Sequence, residues 1–413
     1  MPRERVATWV VACSALLAFA GTARAMNGQG ETAETVRAQS QHMVITSDLS
    51  RVRVSLRSLT STELTGRDSK GASVRLAMDD VLAILPVDEG FTTTVEQLGG
   101  LRAARERTDM GWAVLTDDQT LPGSLDGAPN DDVLSWRTQR WGPIRFSLED
   151  LKLLRFVDAE QTTVLRDLRE DTVLLTNGDL LRGFVSITAG PGLTVETQPG
   201  KNSAMPLDRV AGVAFANPAK ERVGPWLWLM DGTAVRVDAF NLNDSREASM
   251  RLASAEGEVT FSLPVEQVLA FVPAHERLVG LASLQSPSYE PWPTRRWTVA
   301  PIIAPADQSP LGASRIELPG PMTATWSLPV SATRFATTVA LPESCRVWGD
   351  CTVIVAADGK EIARVRLTPE SPESQISAAL PTGAARLSVT LDPGDRGSVE
   401  DRVVLSRAMI RLR

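Results

Sequence analysis

Between residues 171 and 217, apolar and polar positions alternate in short bursts broken by turn residues, the period-two signature of half-buried strands. Val173 and Leu175, then Leu180 and Phe184, flank Asn177-Gly178, a pair that tolerates the positive φ angles of a tight hairpin. Two further runs centre on residues 193–195 and on Ala204. Leu207-Asp208-Arg209-Val210 then predicts one helical turn leading into a last short strand at residues 213–215. The stretch reads as a complete small β unit.

Its closing signature recurs. An apolar residue, two spacers that are often acidic and a second apolar residue precede a short apolar run at Met78-Asp79-Asp80-Val81, Leu148-Glu149-Asp150-Leu151 and Leu207-Asp208-Arg209-Val210. The fourth copy, Leu263-Pro264-Val265-Glu266-Gln267-Val268, carries two extra residues. Upstream of each stands a turn: Ser47-Asp48, Asp117-Asp118, Asn177-Gly178 and Asp231-Gly232. Self-similarity of this kind predicts repeated modules at residues 42–87, 111–158, 171–217 and 224–273, with Val81, Leu151, Val210 and Val268 at one shared buried position. Irregular spacing argues against a strict solenoid. Units of this size suit a small bent sheet or SH3-like barrel, and each buries too little alone to be stable without its neighbours. Short helices are expected at residues 94–107, interrupted by Gly99-Gly100, and at residues 276–284.

A proline-rich stretch, Ser286-Pro287-Ser288-Tyr289-Glu290-Pro291-Trp292-Pro293, cannot continue a helix and places a boundary near residues 276–287. Beyond Trp297 the alternation is all β, at residues 323–328, 335–339, 351–355, 386–391 and 408–412, with an Asp358-Gly359 hairpin leading to residues 362–367. The expected fold class is therefore all-β: repeated small SH3-like or bent-sheet modules followed by a C-terminal jelly-roll β-sandwich.

The N-terminus changes where this molecule is expected to work. A basic start, Met1-Pro2-Arg3-Glu4-Arg5, an apolar run over residues 6–20 and Ala23-Arg24-Ala25 predict a cleaved export signal at residues 1–25, followed by a polar leader at residues 26–41. The run is shorter than the roughly 20 residues a bilayer span requires, so no membrane span is expected in the mature chain. Because the run continues past Cys13, Val10-Val11-Ala12-Cys13 does not read as a lipidation site. Cleavage removes a net charge of +2 and takes the formal charge from −7 to −9. An acidic chain without a Lys/Arg stripe is a poor nucleic-acid ligand. Cys345 and Cys351 remain, and in an oxidising compartment they predict a local disulfide.

The segments Arg334-Phe335-Ala336-Thr337-Thr338-Val339, Val353-Ile354-Val355-Ala356-Ala357-Asp358-Gly359-Lys360 and Ala385-Arg386-Leu387-Ser388-Val389 resemble the NPCBM family, galactose-binding-like jelly-roll carbohydrate-binding modules of the glycosyl hydrolase family 98 type. So does the approach through Leu281-Ala282-Ser283-Leu284, Tyr289-Glu290 and Trp292-Pro293-Thr294-Arg295-Arg296. The resemblance covers residues 281–413. It implies a jelly roll and a carbohydrate partner. Where family members often carry Gly-x-x-His, this chain has Gly320-Pro321-Met322-Thr323, and the late tryptophan is absent from Glu400-Asp401-Arg402-Val403-Val404-Leu405.

Sugar binding needs an aromatic face and polar groups that read hydroxyls. Tyr289, Trp292, Trp297, Trp326 and Trp348 are the available rings; Trp326 alternates within a strand and reads as core. Trp348, in the loop between the two cysteines, is the stacking candidate, with Arg346 and Asp350 as its polar companions. Asp392, Asp395, Glu400 and Asp401 read as solvated loop acids, with a calcium-chelating loop as the weaker alternative. Asp79-Asp80, Asp131-Asp132 and Glu149-Asp150 read as turn and cap residues rather than a glycosidase pair, and a Ser-His-Asp arrangement has only His42 and His275 to draw on, both near module edges. No cofactor, metal site or catalytic constellation is expected. The expectation is an exported, periplasmic or extracellular, non-catalytic protein that meets a carbohydrate, with a structural or envelope-protein partner as the alternative.

Overall fold

The computed structural model describes residues 41–86, 111–130, 132–156, 165, 169–187, 192–243, 247–254, 257–304, 310–312, 314–394, 397 and 400–413. The expected export signal, the expected leader up to residue 40, the helix expected at residues 94–107, Asp131 and Asp395 lie outside these residues. The described residues are all β, with 3-10 turns as their only helical elements.

Four units repeat one plan. The first comprises β1 (His42–Thr46), β2 (Arg51–Leu59), β3 (Glu63–Arg67), β4 (Ser73–Ala77) and β5 (Val81–Pro86). The second comprises β6 (Gly111–Leu115), β7 (Thr120–Asn130), β8 (Val133–Thr138), β9 (Gly142–Ser147) and β10 (Leu151–Arg155). The third is β11 (Thr172–Leu175), β12 (Leu180–Arg182), β13 (Phe184–Ile187), β14 (Gly192–Gln198), β15 (Lys201–Pro206) and β16 (Val210–Ala214). The fourth is β17 (Trp226–Leu229), β18 (Ala234–Arg236), β19 (Ala239–Leu242), β20 (Glu247–Ser254), β21 (Gly257–Pro264) and β22 (Val268–Val272). In each unit the strands form a meander and the last strand returns to pair with the first. The second strand, continuous in the first two units, is broken in the third at Gly183, where a side chain would strike the Glu196 carbonyl oxygen at 2.2 Å.

The repeat extends to single hydrogen bonds. A 3-10 turn precedes each last strand: Met78–Asp80, Leu148–Asp150, Leu207–Arg209 and Val265–Gln267. The final carbonyl of that turn accepts from the first hairpin at Ser47, Thr116, Thr176 and Met230, at 2.7–3.0 Å. In that hairpin Asp48, Asp117, Asn177 and Asp231 each accept, through Oδ1, the backbone N–H two residues on, an Asx turn. The following residues, Leu49, Asp118, Gly178 and Gly232, all take φ between 63° and 90°. Each first-to-last ladder then shifts register at one place, leaving Thr46 opposite Val81, Leu115 opposite Leu151, Leu175 opposite Val210 and Leu229 opposite Val268. All four partners on the last strand are buried.

Units pair both in and out of chain order. β10 of the second unit zips antiparallel onto β16 of the third, with Leu154 opposite Val213. β22 of the fourth unit meets β5 of the first through Phe271 and Ile84, and β18 touches β7 through Ala234 and Thr120. Strand edges that would template aggregation are thereby covered by sister units. The segment after β16 straps the second unit. Asn217 donates to the Leu148 and Leu151 carbonyls at 2.8 Å, Lys220 pairs with Asp150 at 2.6 Å, and Arg222 with Asp118 at 3.1 Å. One apolar core runs through all four units.

A helix over residues 276–284 does not form. Two 3-10 turns, His275–Arg277 and Leu281–Ser283, flank β23 (Leu278–Gly280), which pairs with the last strand of the chain. Gly280 lies so close to the Gly312 carbonyl that a Cβ would sit 2.0 Å away. Strand pairing, a long-range gain, outweighs local helix preference here.

The remainder is a two-sheet sandwich of β24 (Ser288–Pro291), β25 (Ile302–Ile303), β26 (Ile316–Leu318), β27 (Met322–Ser327), β28 (Ala332–Ala340), β29 (Cys351–Ala357), β30 (Lys360–Leu367), β31 (Glu373–Ala379), β32 (Arg386–Pro393) and β33 (Val403–Leu412). One sheet runs β25-β26-β33-β28-β31, with β23 also on β33; the other runs β24-β27-β32-β29-β30. Between them lies a core that includes Trp326, Phe335, Val353, Leu387 and Ile410. A further apolar cluster joins Ile45 and Leu82 of the first unit and Trp226 of the fourth to Ala336 and Met409 of the sandwich. Around it Arg51 donates to Thr338 Oγ1, and Arg407, at φ 49°, reaches Met43 Sδ.

Candidate functional site

β28 and β29 are joined by a compact corner. Leu341 is buried, Glu343–Cys345 forms a 3-10 turn, and residues 346–350 close back on it. Cys345 donates from its N–H to the Pro342 carbonyl at 2.9 Å, and Gly349 to the Cys345 carbonyl at 2.8 Å. A Cβ at Gly349 would lie 2.7 Å from that Cys345 oxygen, so the corner needs glycine there. The tight closure pushes Val347 and Trp348 outward, and 58% of Trp348 is exposed.

The three candidates at this corner behave differently. Trp348 presents its ring to solvent. Arg346 is exposed beside it, with Nε 3.4 Å from the Leu341 carbonyl oxygen. Asp350 is only 5% exposed, and its two oxygens accept Nε and Nη2 of Arg366 on β30, both at 3.0 Å. The Asp350 carboxylate is thus turned from solvent toward Arg366. It anchors the corner and holds a half-exposed guanidinium on the surface. Arg366 was not legible as a site residue: it lies on an alternating strand, and the pairing that matters spans two strands.

Of the other rings, Trp326 is fully buried in the sandwich core, Tyr289 and Trp297 are exposed, and Trp292 is half-buried.

The expected Cys345–Cys351 disulfide is not formed. Both cysteines are buried free thiols. Cys345 ends the 3-10 turn, with Sγ 3.7 Å from Ser344 Oγ, whereas Cys351 opens β29 and packs into the sandwich core. Burial, with the charges of Asp401 and Asp350 added, pushes the Cys351 thiol up to about 12. A thiol so raised is a poor nucleophile and behaves as a small apolar side chain.

The loop acids divide in the same way. Glu400 is solvated, Asp392 is half-buried, and Asp401 is buried, contrary to the solvated role expected of it. Among the described residues no group of three or more His, Cys, Asp and Glu is placed to hold a metal ion. Asp79, Asp80, Glu149 and Asp150 sit in the repeated 3-10 turns. Both histidines are enclosed: His42 is buried on β1, and His275 packs against Trp226 and Trp228 at 5.7 and 5.9 Å. Burial, reinforced by Arg222, lowers His275 to about 4. Among the described residues no helix is long and apolar enough to cross a membrane.

No family model matches this chain, and no curated protein matches it. Solved structures do. A CBM51 module from Clostridium perfringens GH95, in complex with methyl-galactose, is 13% identical, covering 32% of this chain and 99% of that one, with a TM-score of 0.26. Tandem CBM51 modules of a family 98 glycoside hydrolase from Streptococcus pneumoniae are 11% identical over 90% of this chain and 88% of that one, with a TM-score of 0.27. The CBM51-2 and INT domains of Clostridium perfringens ZmpB are 14% identical over 40% of this chain, with a TM-score of 0.27. This chain spans 36% of that structure's length, and 38% of the same domains' structure with GlcNAc bound.

Proposed function

We propose that this is an exported, non-catalytic β protein whose C-terminal sandwich binds carbohydrate at the corner bearing Trp348. The observation that carries the reading is a large aromatic ring, 58% exposed, on a corner whose base is pinned by Asp350 and Arg366. A flat apolar face held in water beside guanidinium groups suits a sugar ring, whose C–H surface stacks while its hydroxyls accept hydrogen bonds. Trp348 stacks, Arg346 donates, and Arg366, oriented by Asp350, donates as well. The resemblance of residues 281–413 to the NPCBM family supports the same reading. Each hydrogen bond adds a net of about 0.5–1.5 kcal/mol, so affinity should be weak, near millimolar. Export rests on the basic, apolar and Ala-Arg-Ala pattern of residues 1–25.

A glycan-array screen of the full chain tests this. Binding of at least one glycan, abolished in Trp348→Ala at unchanged melting temperature, is the expected outcome. A blank array, or binding indifferent to Trp348, overturns it.

One observation favours a second reading, a protein-interaction role in the envelope. Trp297 is 74% exposed, and Val299 and Ile302 are exposed with it on the approach to and start of β25, the edge strand of its sheet. Apolar groups grouped at a strand edge suit a protein partner. Co-purification that is lost in Trp297→Ser but kept in Trp348→Ala would favour this reading over sugar binding.

A further inference from the structure

Asp401 stands at the foot of β33 in Glu400-Asp401-Arg402, a run whose composition suggests a solvated loop. Its neighbours do face outward: Glu400 is exposed, and Arg402 pairs with Glu317 at 2.6 Å. Glu400 takes φ 55°, and this left-handed step turns the next residue inward. Only 2% of Asp401 is exposed, and neither carboxylate oxygen meets a donor at hydrogen-bonding geometry. An ionised carboxylate left in that condition is costly.

Among the described residues, charged and titratable groups reach it from several elements. Asp350 and Cys351 approach from the base of the Trp348 corner, Asp392 from the end of β32, and Arg295 from the segment after β24. Arg366, on β30, is already taken by Asp350, and Cys345 stands beside Cys351. Asp350 and Asp392 repel the charged form, while the nearby Asp350 backbone N–H, outside hydrogen-bonding geometry, and Arg295 only partly compensate. Burial is the largest cause, and it raises Asp401 to about 6. The chain behind the corner has no slack. Gly394 donates to the Asp350 carbonyl at 2.8 Å, and a Cβ on Gly394 would come within 2.1 Å of that oxygen.

We propose that Asp401 is a proton-operated latch for the corner at residues 346–350: when neutral it seats behind Asp350 and holds the corner against the sandwich, and when ionised it repels Asp350 and loosens the corner. The step is a simple proton exchange with solvent. Acid closes the latch and neutral pH opens it. This mechanism depends on the packing behind the corner and not on what the corner binds, so it can stand or fall apart from the sugar-binding reading.

Amide hydrogen exchange of the full chain between pH 5.0 and 7.5, corrected for intrinsic exchange, tests it on peptides covering residues 341–352. Protection there should fall about tenfold or more across pH 6, the scale of a coupled titration spanning a unit or more, while peptides from β2 and β7 stay flat. Asp401→Asn should keep the acid-like protection at both pH values, as should Asp401→Ser if the asparagine variant does not fold. A flat wild-type profile overturns the latch without any variant, and so does a pH step that persists in both variants. Recovery of wild-type protection at pH 7.5 by millimolar calcium also overturns it, because the carboxylate would then be a cation ligand.

Discussion

Asp350 and Arg366 are joined by two parallel hydrogen bonds of 3.0 Å, Nε to Oδ1 and Nη2 to Oδ2, with the carboxylate buried and the guanidinium half in solvent. The pair ties the residue just before β29 to β30 and so fixes where the Trp348 corner leaves the sandwich. Two-pronged pairs of this kind carry geometric specificity as well as energy.

Arg366→Ala removes both of its hydrogen bonds to the buried Asp350 carboxylate. It should destabilise the fold by about 1–3 kcal/mol, less than a fully buried pair because the guanidinium is half-exposed. In urea unfolding, the double variant with Asp350→Ala should lose less than the sum of the two single changes.

The pH dependence of stability should contain two opposed contributions. Asp401 rises from 3.8 to about 6 on folding. The folded chain thus keeps a proton that the unfolded chain has lost, and this contribution, complete below pH 4, disappears as pH rises through 6. His275 falls from 6.5 to about 4, so its contribution is complete above pH 6.5 and is lost as pH falls toward 4. Asp401→Asn should therefore be roughly 2–3 kcal/mol more stable than wild type at pH 7.5 and nearly equal at pH 4. Urea melts at the two pH values check the sign.

Native protein should resist thiol reagents at pH 8, since both cysteines are buried and Cys351 is raised to about 12. In denaturant without reductant, both Cys345 and Cys351 should take up label. Mass spectrometry that finds them unlabelled there would show a bridge.

The two sandwich tryptophans should separate cleanly. Trp326 is enclosed by the core, and Trp326→Ala should cost about 3–5 kcal/mol. Trp348→Ala removes an exposed ring and should stay within about 0.5 kcal/mol. Comparable losses in melting experiments would place Trp348 in the packing instead of at the surface.

Gly178 takes φ 90°, and nothing lies within 4 Å of where a Cβ would stand. Gly178→Ala therefore tests backbone strain alone, and about 1–2 kcal/mol should be lost. A neutral substitution would mean that the third unit's hairpin can relax without its left-handed residue.

The repeated unit was legible because its instructions are local. An Asx residue, a left-handed residue, alternation and a 3-10 turn all lie within a few residues of the backbone they shape, as Asp48, Asp117, Asn177 and Asp231 show. The jelly-roll strands were legible for the same reason, down to Asp358-Gly359, where both residues take positive φ. The sequence also pointed to the cysteine corner as a place where a tryptophan would be exposed.

What the sequence by itself determined, then, is the set of elements: short strands, their turns, and which face of each strand is apolar. Which elements meet was decided by tertiary structure. β10 chooses β16, β23 forms in place of a helix, and Trp226 is buried against the sandwich because apolar strand edges and faces find partners far away in the chain. The same long-range packing sets the chemistry of the corner. In sequence Asp350 reads as a polar companion of Trp348, Cys351 as a disulfide partner and Asp401 as a solvated loop acid, and only enclosure by β29, β32 and β33 turns them into an anchored carboxylate, an inert thiol and a carboxyl raised to about 6. Charge and burial act through space, and spacing along the chain does not encode that distance.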